Sequence, residues 1–447
     1  MKQRRNISAD SPSGSAEGTL PAPNSAGASS QAGSLERRTG KSACVTPDSA
    51  GAESEARPQV ATGLMIVAGE RSGDIFGAGL AAALRARLGQ VAIFGCGGEE
   101  MRRAGVETVV DLSEFAMVGI TEVVSRLPRA YLASRRLMEE ARRRHPAMAI
   151  LIDSPSLNIR LAPRLKRLGV PVTYFVSPQV WAWKKWRLRQ LKTRIDKMIC
   201  IFDFEEEMYR REGIPVEYVG HPLVDEVHPT RARAAFFAKV GLEPGVTTVA
   251  LLPGSRRSEV QLILPTLLEA AVELAGARRL QFVVAVAPTI EEAWLEAEYL
   301  APYRRRMVRI TGITGATRDA LYHADLAVVA SGTATIEAAL LERPMAVVYR
   351  VSRVTALLAR ALGLRLPFYS MVNLLAGRSA VPELIQEDFT AGRVASEVAR
   401  LLDDAGARAR MVNDLRDVKV RLGSAGALDR AADVIARSIA DGRDCRK

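Results

Sequence analysis

The sequence predicts an α/β protein made of two Rossmann-like domains facing a cleft, preceded by a disordered N-terminal tail. Three observations predict it. From Gly63 onward, short apolar runs alternate with longer stretches of helical periodicity, the pattern of parallel sheets with helices on both faces. The alternation comes in two series, joined around Gly220–Thr230. In the second series, two strand candidates end in small-residue turns that run into helical patterns: Leu252-Pro253-Gly254-Ser255-Arg256 and Ala330-Ser331-Gly332-Thr333-Ala334-Thr335-Ile336-Glu337.

Residues 1–62 are rich in Ser, Ala, Gly, Pro and Glu and have no apolar periodicity. Such a segment cannot bury enough apolar surface to offset its ordering entropy, so it reads as a disordered polar tail. It opens on Met1-Lys2-Gln3-Arg4-Arg5, but no apolar stretch follows as a secretory signal requires. Residues 63–228 form the first domain, with strands expected at Leu64–Ala68, Val91–Phe94, Ala147–Ile152, Val172–Val176 and Met198–Ile201. Helical stretches between them include Gly79–Leu88, Leu127–Arg144 and Leu161–Leu168. Residues 229–391 form the second domain, with strands starting near Thr247 and then at Gln281–Ala287, Val308–Ile310, Leu326–Ala330 and Met345–Tyr349. The remainder, 392–447, is rich in Ala, Arg and Leu and reads as a helical segment packing across the domains.

Composition narrows the chemistry. With 447 residues, of which 48% are hydrophobic, the chain can bury the cores of two or three domains. Four scattered cysteines without a CxxC pair, and only four histidines, argue against a disulfide framework and a zinc or multi-His centre. No metal and no cofactor is expected. The net charge of +12 favours an acidic partner: nucleic acid, anionic lipid or a phosphorylated substrate. No apolar run reaches the roughly 18 to 20 residues of a membrane span.

A strand ending in a Gly/Ser turn aims backbone N–H groups and a helix N-terminus above the sheet edge, where a phosphate can sit. Gly254, Ser255, Ser331, Gly332 and Thr333 supply such turns. Arg256 adds a guanidinium able to meet two phosphate oxygens. Glu337, one turn into its helix, can accept hydrogen bonds from ribose hydroxyls. Together they suggest a nucleoside diphosphate.

Four further groups carry chemistry. Ala68-Gly69-Glu70-Arg71-Ser72-Gly73-Asp74 opens the first domain, but its glycine spacing is not that of a dinucleotide fingerprint. Glu70 and Asp74 suit sugar hydroxyls or proton transfer, whereas Asp74 can equally cap a helix. Asp153 ends an apolar strand, where a half-buried carboxylate can act as a general base or cap the next helix. Between 177 and 197, Trp181, Trp183 and Trp186 interleave with basic residues including Arg187. That pattern fits a membrane interface, base stacking, or a core Trp pair followed by a solvated helix. Asn373 can hold a ligand hydroxyl or bridge backbone groups. His221 reads as a turn or hinge residue and Cys96 as a small packed residue.

Taken in order, these blocks resemble the lipid-A-disaccharide synthase family. The match includes Ala68–Asp74, Met117-Val118-Gly119-Ile120-Thr121-Glu122-Val123, Ile152-Asp153-Ser154-Pro155 and Val176–Trp183. It continues through Gly220-His221-Pro222, Leu252–Arg256, Ala330–Ala334 and Asn373-Leu374-Leu375-Ala376-Gly377, spanning about Gly63 to Ala440. The resemblance implies a GT-B-like fold and an inverting, metal-independent transfer. UDP-2,3-diacylglucosamine would be the donor, and 2,3-diacylglucosamine 1-phosphate the acceptor. UDP and a β-1,6-linked tetra-acyl disaccharide 1-phosphate would be the products. It places the acceptor base at Asp153 and the diphosphate arginine at Arg256. Glu70 and Asn373 fall on the family's functional glutamate and asparagine, and Ser331–Ala334 with Glu337 on the UDP site. The family pattern carries a second carboxylate where this chain has Ser156, and a small or neutral residue where it has Arg71.

The resemblance also implies a cytoplasmic enzyme, peripheral on the inner membrane, because both substrates carry acyl chains. Val118, Ile120 and Val123, ahead of Arg126 and Arg129, fit an insertion patch, with Trp186 and Arg187 as further lipid contacts. A homodimer is compatible, and nucleic acid is not expected as a partner. Another UDP-sugar enzyme, such as an N-acetylglucosaminyl transferase or 2-epimerase, fits the same scaffold, as does a non-catalytic UDP-sugar or lipid-surface binding protein.

Overall fold

The computed structural model describes residues 63–115, 120–178, 186–306, 308–351 and 367–444. The polar tail 1–62 lies outside them, as do Val118 and the side chains of Ile120, Val123, Trp186 and Arg187.

Two wholly parallel sheets form, one from each series. In the first, seven strands run in the order β3-β2-β1-β4-β5-β6-β7. They are β1 Leu64–Ala68, β2 Ile93–Gly97, β3 Glu107–Asp111, β4 Met148–Ile152, β5 Val172–Phe175, β6 Lys197–Cys200 and β7 Val216–Tyr218. The second has six, in the order β10-β9-β8-β11-β12-β13. Its strands are β8 Thr247–Leu252, β9 Leu280–Val286, β10 Ile310–Thr314, β11 Leu326–Ala330, β12 Met345–Tyr349 and β13 Glu383–Ile385. Each is a doubly wound sheet whose order reverses between two central strands: β1 and β4 in the first, β8 and β11 in the second.

The central strands are buried along their whole length because helices cover both faces, which is why they read as unbroken apolar runs. Alternate β1 residues enter different cores: Leu64, Ile66 and Ala68 one, Met65 and Val67 the other. The first of these cores continues through the second sheet. Strands β3, β7 and β13 were not anticipated. They lie at sheet edges and are only partly buried, so no apolar run marks them.

The first helix spans Arg71–Leu88, starting eight residues before the expected Gly79. Glycines lower helix propensity, but here close packing demands them. A Cβ on Gly77 would stand 2.7 Å from the Met101 sulfur, and one on Gly73 would stand 3.2 Å from Ala68 Cβ. The third strand of the second series forms at Ile310–Thr314 rather than at 308–310, and includes Gly312.

Among the described residues one helix, Arg257–Ala277, is long and apolar enough to cross a membrane by length and composition, although no apolar run of that length was expected. Its apolar residues Val260, Ile263, Leu264, Leu267, Leu268 and Leu274 are instead buried in the core of the second lobe.

The chain passes between lobes twice, at Gly220–Pro222 and at Leu422–Gly426, and the two crossings are hydrogen-bonded together. His221 N–H donates to Leu422 O at 2.8 Å, and the Arg430 guanidinium donates to Val219, Ser424 and Ala425 carbonyls. Gly220 (φ +83°) and Gly423 (φ +88°) adopt left-handed backbone there. The last helix, Ala427–Asp444, then returns to Arg71–Leu88, where Arg87 pairs with Asp429 and Asp433.

Candidate functional site

Ligands of doubly wound sheets bind beyond the carboxyl ends of the strands at the point where strand order reverses. Glu70 follows β1 and Asp153 follows β4, so both carboxylates flank the first such point. Gly254–Arg256 follows β8 and Ser331–Glu337 follows β11, flanking the second. The two points meet: Arg256 Nη2 lies 3.9 Å from Glu70 Oε2. Both side chains are about half exposed, so this contact contributes little stability. Its value is geometric, since it puts the arginine of one lobe against the Glu70 carboxylate of the other.

Asp153 sits in a strained turn. Asp153 (φ +45°) and Ser154 (φ +44°) are left-handed, and so is the β-branched Val176 (φ +65°) at the end of neighbouring β5. Such backbone costs about 1–3 kcal/mol per residue and persists only where its surroundings enforce it. Asn158 Nδ2 donates to Ile152 O (2.9 Å) and Asp153 O (2.8 Å), and the Tyr174 hydroxyl donates to Asp153 O. Gly69 permits the close approach of the Glu70 turn, for a Cβ there would stand 2.4 Å from Ser154 Oγ. Burial, and secondarily the Glu70 charge, push the Asp153 carboxyl up to about 7. Its pKa is therefore that of a base poised near neutrality. Ser156, where the family pattern has a carboxylate, is exposed in the first turn of helix Pro155–Arg167.

In the second lobe, Gly254 (φ +120°) adopts a backbone open to glycine, and a Cβ there would stand 2.5 Å from Glu259 Oε2. That Glu259 oxygen accepts from Ser255 N–H (2.9 Å) and Arg256 N–H (3.2 Å), and Oε1 from Arg256 Nη1 (3.3 Å). The turn expected to greet a phosphate is thus already shaped by a carboxylate of its own helix. Only the glutamate half of a capping box forms, Glu259 at N3 accepting from the N-cap Arg256 N–H, because an arginine side chain cannot accept in return. Gly332 and Thr333 are exposed at the start of helix Thr333–Leu340, and Ser331 Oγ donates to Tyr369 O. Glu337 is raised above the ordinary carboxylate range by burial, against which Arg318 works.

Three candidates have structural partners. Asp74 is buried and accepts from the N–H groups of Gly98 (2.6 Å), Glu100 (3.1 Å) and Met101 (3.1 Å), capping helix Glu99–Arg103 rather than its own. Asn373 is fully buried: Nδ2 donates to Val381 O and Glu383 Oε1, and Oδ1 accepts from Val381 N–H. Its amide bridges the loop, with both Nδ2 hydrogens and one lone pair of Oδ1 engaged within the protein. His221 accepts from Leu223 N–H and packs against Phe76 and Phe202; burial pulls it down to about 3. It stays neutral at the crossing between lobes. Cys96 is buried, and its thiol is pushed up by that burial. Among the described residues no cluster of His, Cys, Asp or Glu suits a metal ion.

Two Rossmann-like lobes with meeting switch points define the GT-B class. Solved structures resemble the chain over most of its length. The S. aureus MnaA–UDP structure has TM-score 0.59 at 13% identity, covering 84% of this chain and 96% of that one. UDP-GlcNAc 2-epimerase from Neisseria meningitidis bound to UDP-GlcNAc has TM-score 0.56 at 11% identity, covering 85% and 99%. CalG4, the calicheamicin glycosyltransferase, has TM-score 0.51 at 15% identity, covering 84% and 98%. At such identities the likeness is one of fold. The family follows from sequence: residues 64–430 match the model described as lipid-A-disaccharide synthetase, and the chain belongs to that family of glycosyltransferases of lipid A synthesis. Lipid-A-disaccharide synthase of Myxococcus xanthus (strain DK1622) is 43% identical over 381 residues, 85% of this chain and 98% of the relative. That of Koribacter versatilis (strain Ellin345) is 43% identical over 378 residues, 84% and 97%.

Proposed function

We propose that the chain joins UDP-2,3-diacylglucosamine to 2,3-diacylglucosamine 1-phosphate, giving the β-1,6-linked tetra-acyl disaccharide 1-phosphate and UDP. The observation that carries this reading is the placement of Asp153 and Glu70 at one switch point against Arg256 at the other. Asp153 takes the proton of the acceptor 6-hydroxyl. The oxygen attacks the anomeric carbon as its bond to the diphosphate breaks, inverting that centre. Arg256 meets the charge that gathers on the departing UDP, the electrostatic contribution a preformed guanidinium makes. Glu70 lies close enough to raise Asp153 and to accept from a sugar hydroxyl. Ser255, Gly254, Ser331, Gly332 and Thr333 line the diphosphate side, and Glu337 the ribose. Asn373 acts by holding the loop that follows β12.

The acyl chains require the enzyme to work at a bilayer, and we place it at the cytoplasmic face of the inner membrane. A net charge of +12 supports this, each basic residue near an anionic surface adding roughly 1 kcal/mol. So do Tyr131 and Leu132 of helix Ile120–Arg144, which are 65% and 55% exposed. UDP release in mixed micelles tests the reaction. It should require both acylated substrates; equal release without acceptor, or from acyl-free UDP-N-acetylglucosamine, would favour another UDP-sugar enzyme.

A further inference from the structure

Glu337 does not stand alone. Arg318, on the neighbouring helix Thr317–His323, donates from Nε to Glu337 Oε1 at 3.3 Å. Its other two nitrogens reach the short helix Leu223–Glu226: Nη1 donates to Glu226 O at 2.6 Å and Nη2 to Glu226 Oε2 at 3.1 Å. One guanidinium thus spans two carboxylates and a carbonyl, using the fork that lysine lacks.

The helix that carries it is fixed at the next residue. The buried Asp319 carboxylate accepts from Thr230 N–H (2.6 Å), Thr230 Oγ (2.7 Å), Arg231 N–H (3.1 Å) and Arg231 Nη1 (2.7 Å). Arg318 and Asp319 therefore clamp this helix to the connection between the lobes. Asp225, beside Glu226, accepts from Gly426 N–H and so touches the second crossing as well. On the other side, the Glu337 side chain is only 16% exposed. Its Oε1 is taken by Arg318, while Oε2 has no hydrogen-bond partner among the described residues. A carboxylate with one oxygen tethered has its orientation fixed and keeps the other oxygen for a hydroxyl.

We propose that Arg318 is a positioning residue for the nucleotide: it fixes Glu337 so that Oε2 accepts from the ribose hydroxyls, and it anchors that carboxylate to the connection between the lobes. The proposal rests on the UDP-sugar reading above and names a residue that the sequence motifs pass over. Arg318 lies about 20 residues upstream of Glu337 in a helix without a motif, and only the fold brings them together. Burial raises Glu337, and the guanidinium opposes that rise, so the same contact favours the accepting form.

Calorimetry of the full chain with UDP and with 2′,3′-dideoxy-UDP tests this. Wild type should prefer UDP by about tenfold or more, the worth of a hydrogen bond to a charged group. Glu337→Gln and Arg318→Gln should each bring the preference below about threefold, and the double variant should lose no more than either single one. A wild type that does not bind UDP, or a Glu337→Gln that keeps the full preference, defeats the ribose reading itself. If Glu337→Gln loses the preference while folded Arg318→Gln keeps it, the positioning role is overturned. Arg318→Lys guards against misfolding. It keeps the charge but cannot span both carboxylates, so the preference should fall; full preference at an unchanged melting temperature would also overturn the proposal.

Discussion

Replacing Asp153 by Asn should make the protein more stable and less active at once. The carboxyl is raised from its ordinary 3.8 to about 7 in the fold, first by burial and then by Glu70. A carboxyl raised on folding binds its proton more tightly in the folded chain, so its ionisation destabilises the fold. That penalty is nearly absent below pH 4, grows between pH 4 and 7, and is complete above 7. At 1.36 kcal/mol per pH unit, a shift of about three units corresponds to roughly 4 kcal/mol. This is a ceiling, since water reaches a half-buried carboxylate. Asn keeps the shape and removes the charge. Urea denaturation of both proteins at pH 4 and pH 8.5 should show little difference at the lower pH and a more stable variant at the higher. Turnover should meanwhile fall by roughly 10²- to 10⁴-fold, the usual worth of a positioned base. A stability gap that does not widen with pH would refute the electrostatic argument, and near-normal turnover would refute the role as base.

Arg256→Ala should weaken UDP binding by about tenfold, as loss of a charge-assisted contact does; unchanged affinity by calorimetry would remove Arg256 from the diphosphate site. Asp74→Ala strips three amides of their acceptor and should destabilise the fold by roughly 2–3 kcal/mol with UDP affinity intact; a selective loss of affinity would give Asp74 a ligand role instead. Asn158→Ala should lower turnover through the relaxed Asp153 turn while leaving UDP affinity unchanged, read by parallel rate and calorimetric measurements.

The fold was legible wherever burial on both faces forces continuous apolar sequence, as in β1, β11 and β12, whose boundaries match the expectation residue for residue. It was illegible at the edge strands β3, β7 and β13, where solvent on one side lets polar residues in. The start of the first helix was hidden by Gly73 and Gly77, because local propensity counts against glycine while tertiary packing requires it. At the site, the carboxyl ends of strands identified Glu70, Asp153, Gly254–Arg256 and Ser331–Glu337 as neighbours of a cleft. The partners that hold them were not visible. Asn158 and Tyr174 pin the Asp153 turn, and Arg318 reaches Glu337 only through the packing of two helices. For Asn373 the sequence left two readings open, and the hydrogen bonds to Val381 and Glu383 favour the bridging one.

The most direct test is mass spectrometry of products formed from UDP-2,3-diacylglucosamine and 2,3-diacylglucosamine 1-phosphate in mixed micelles, with wild type and Asp153→Asn side by side. The account predicts a tetra-acyl disaccharide 1-phosphate from wild type and almost none from the variant. UDP binding without any disaccharide from wild type would contradict it, and would make the chain a UDP-sugar binding protein in which Ser156 marks a lost activity.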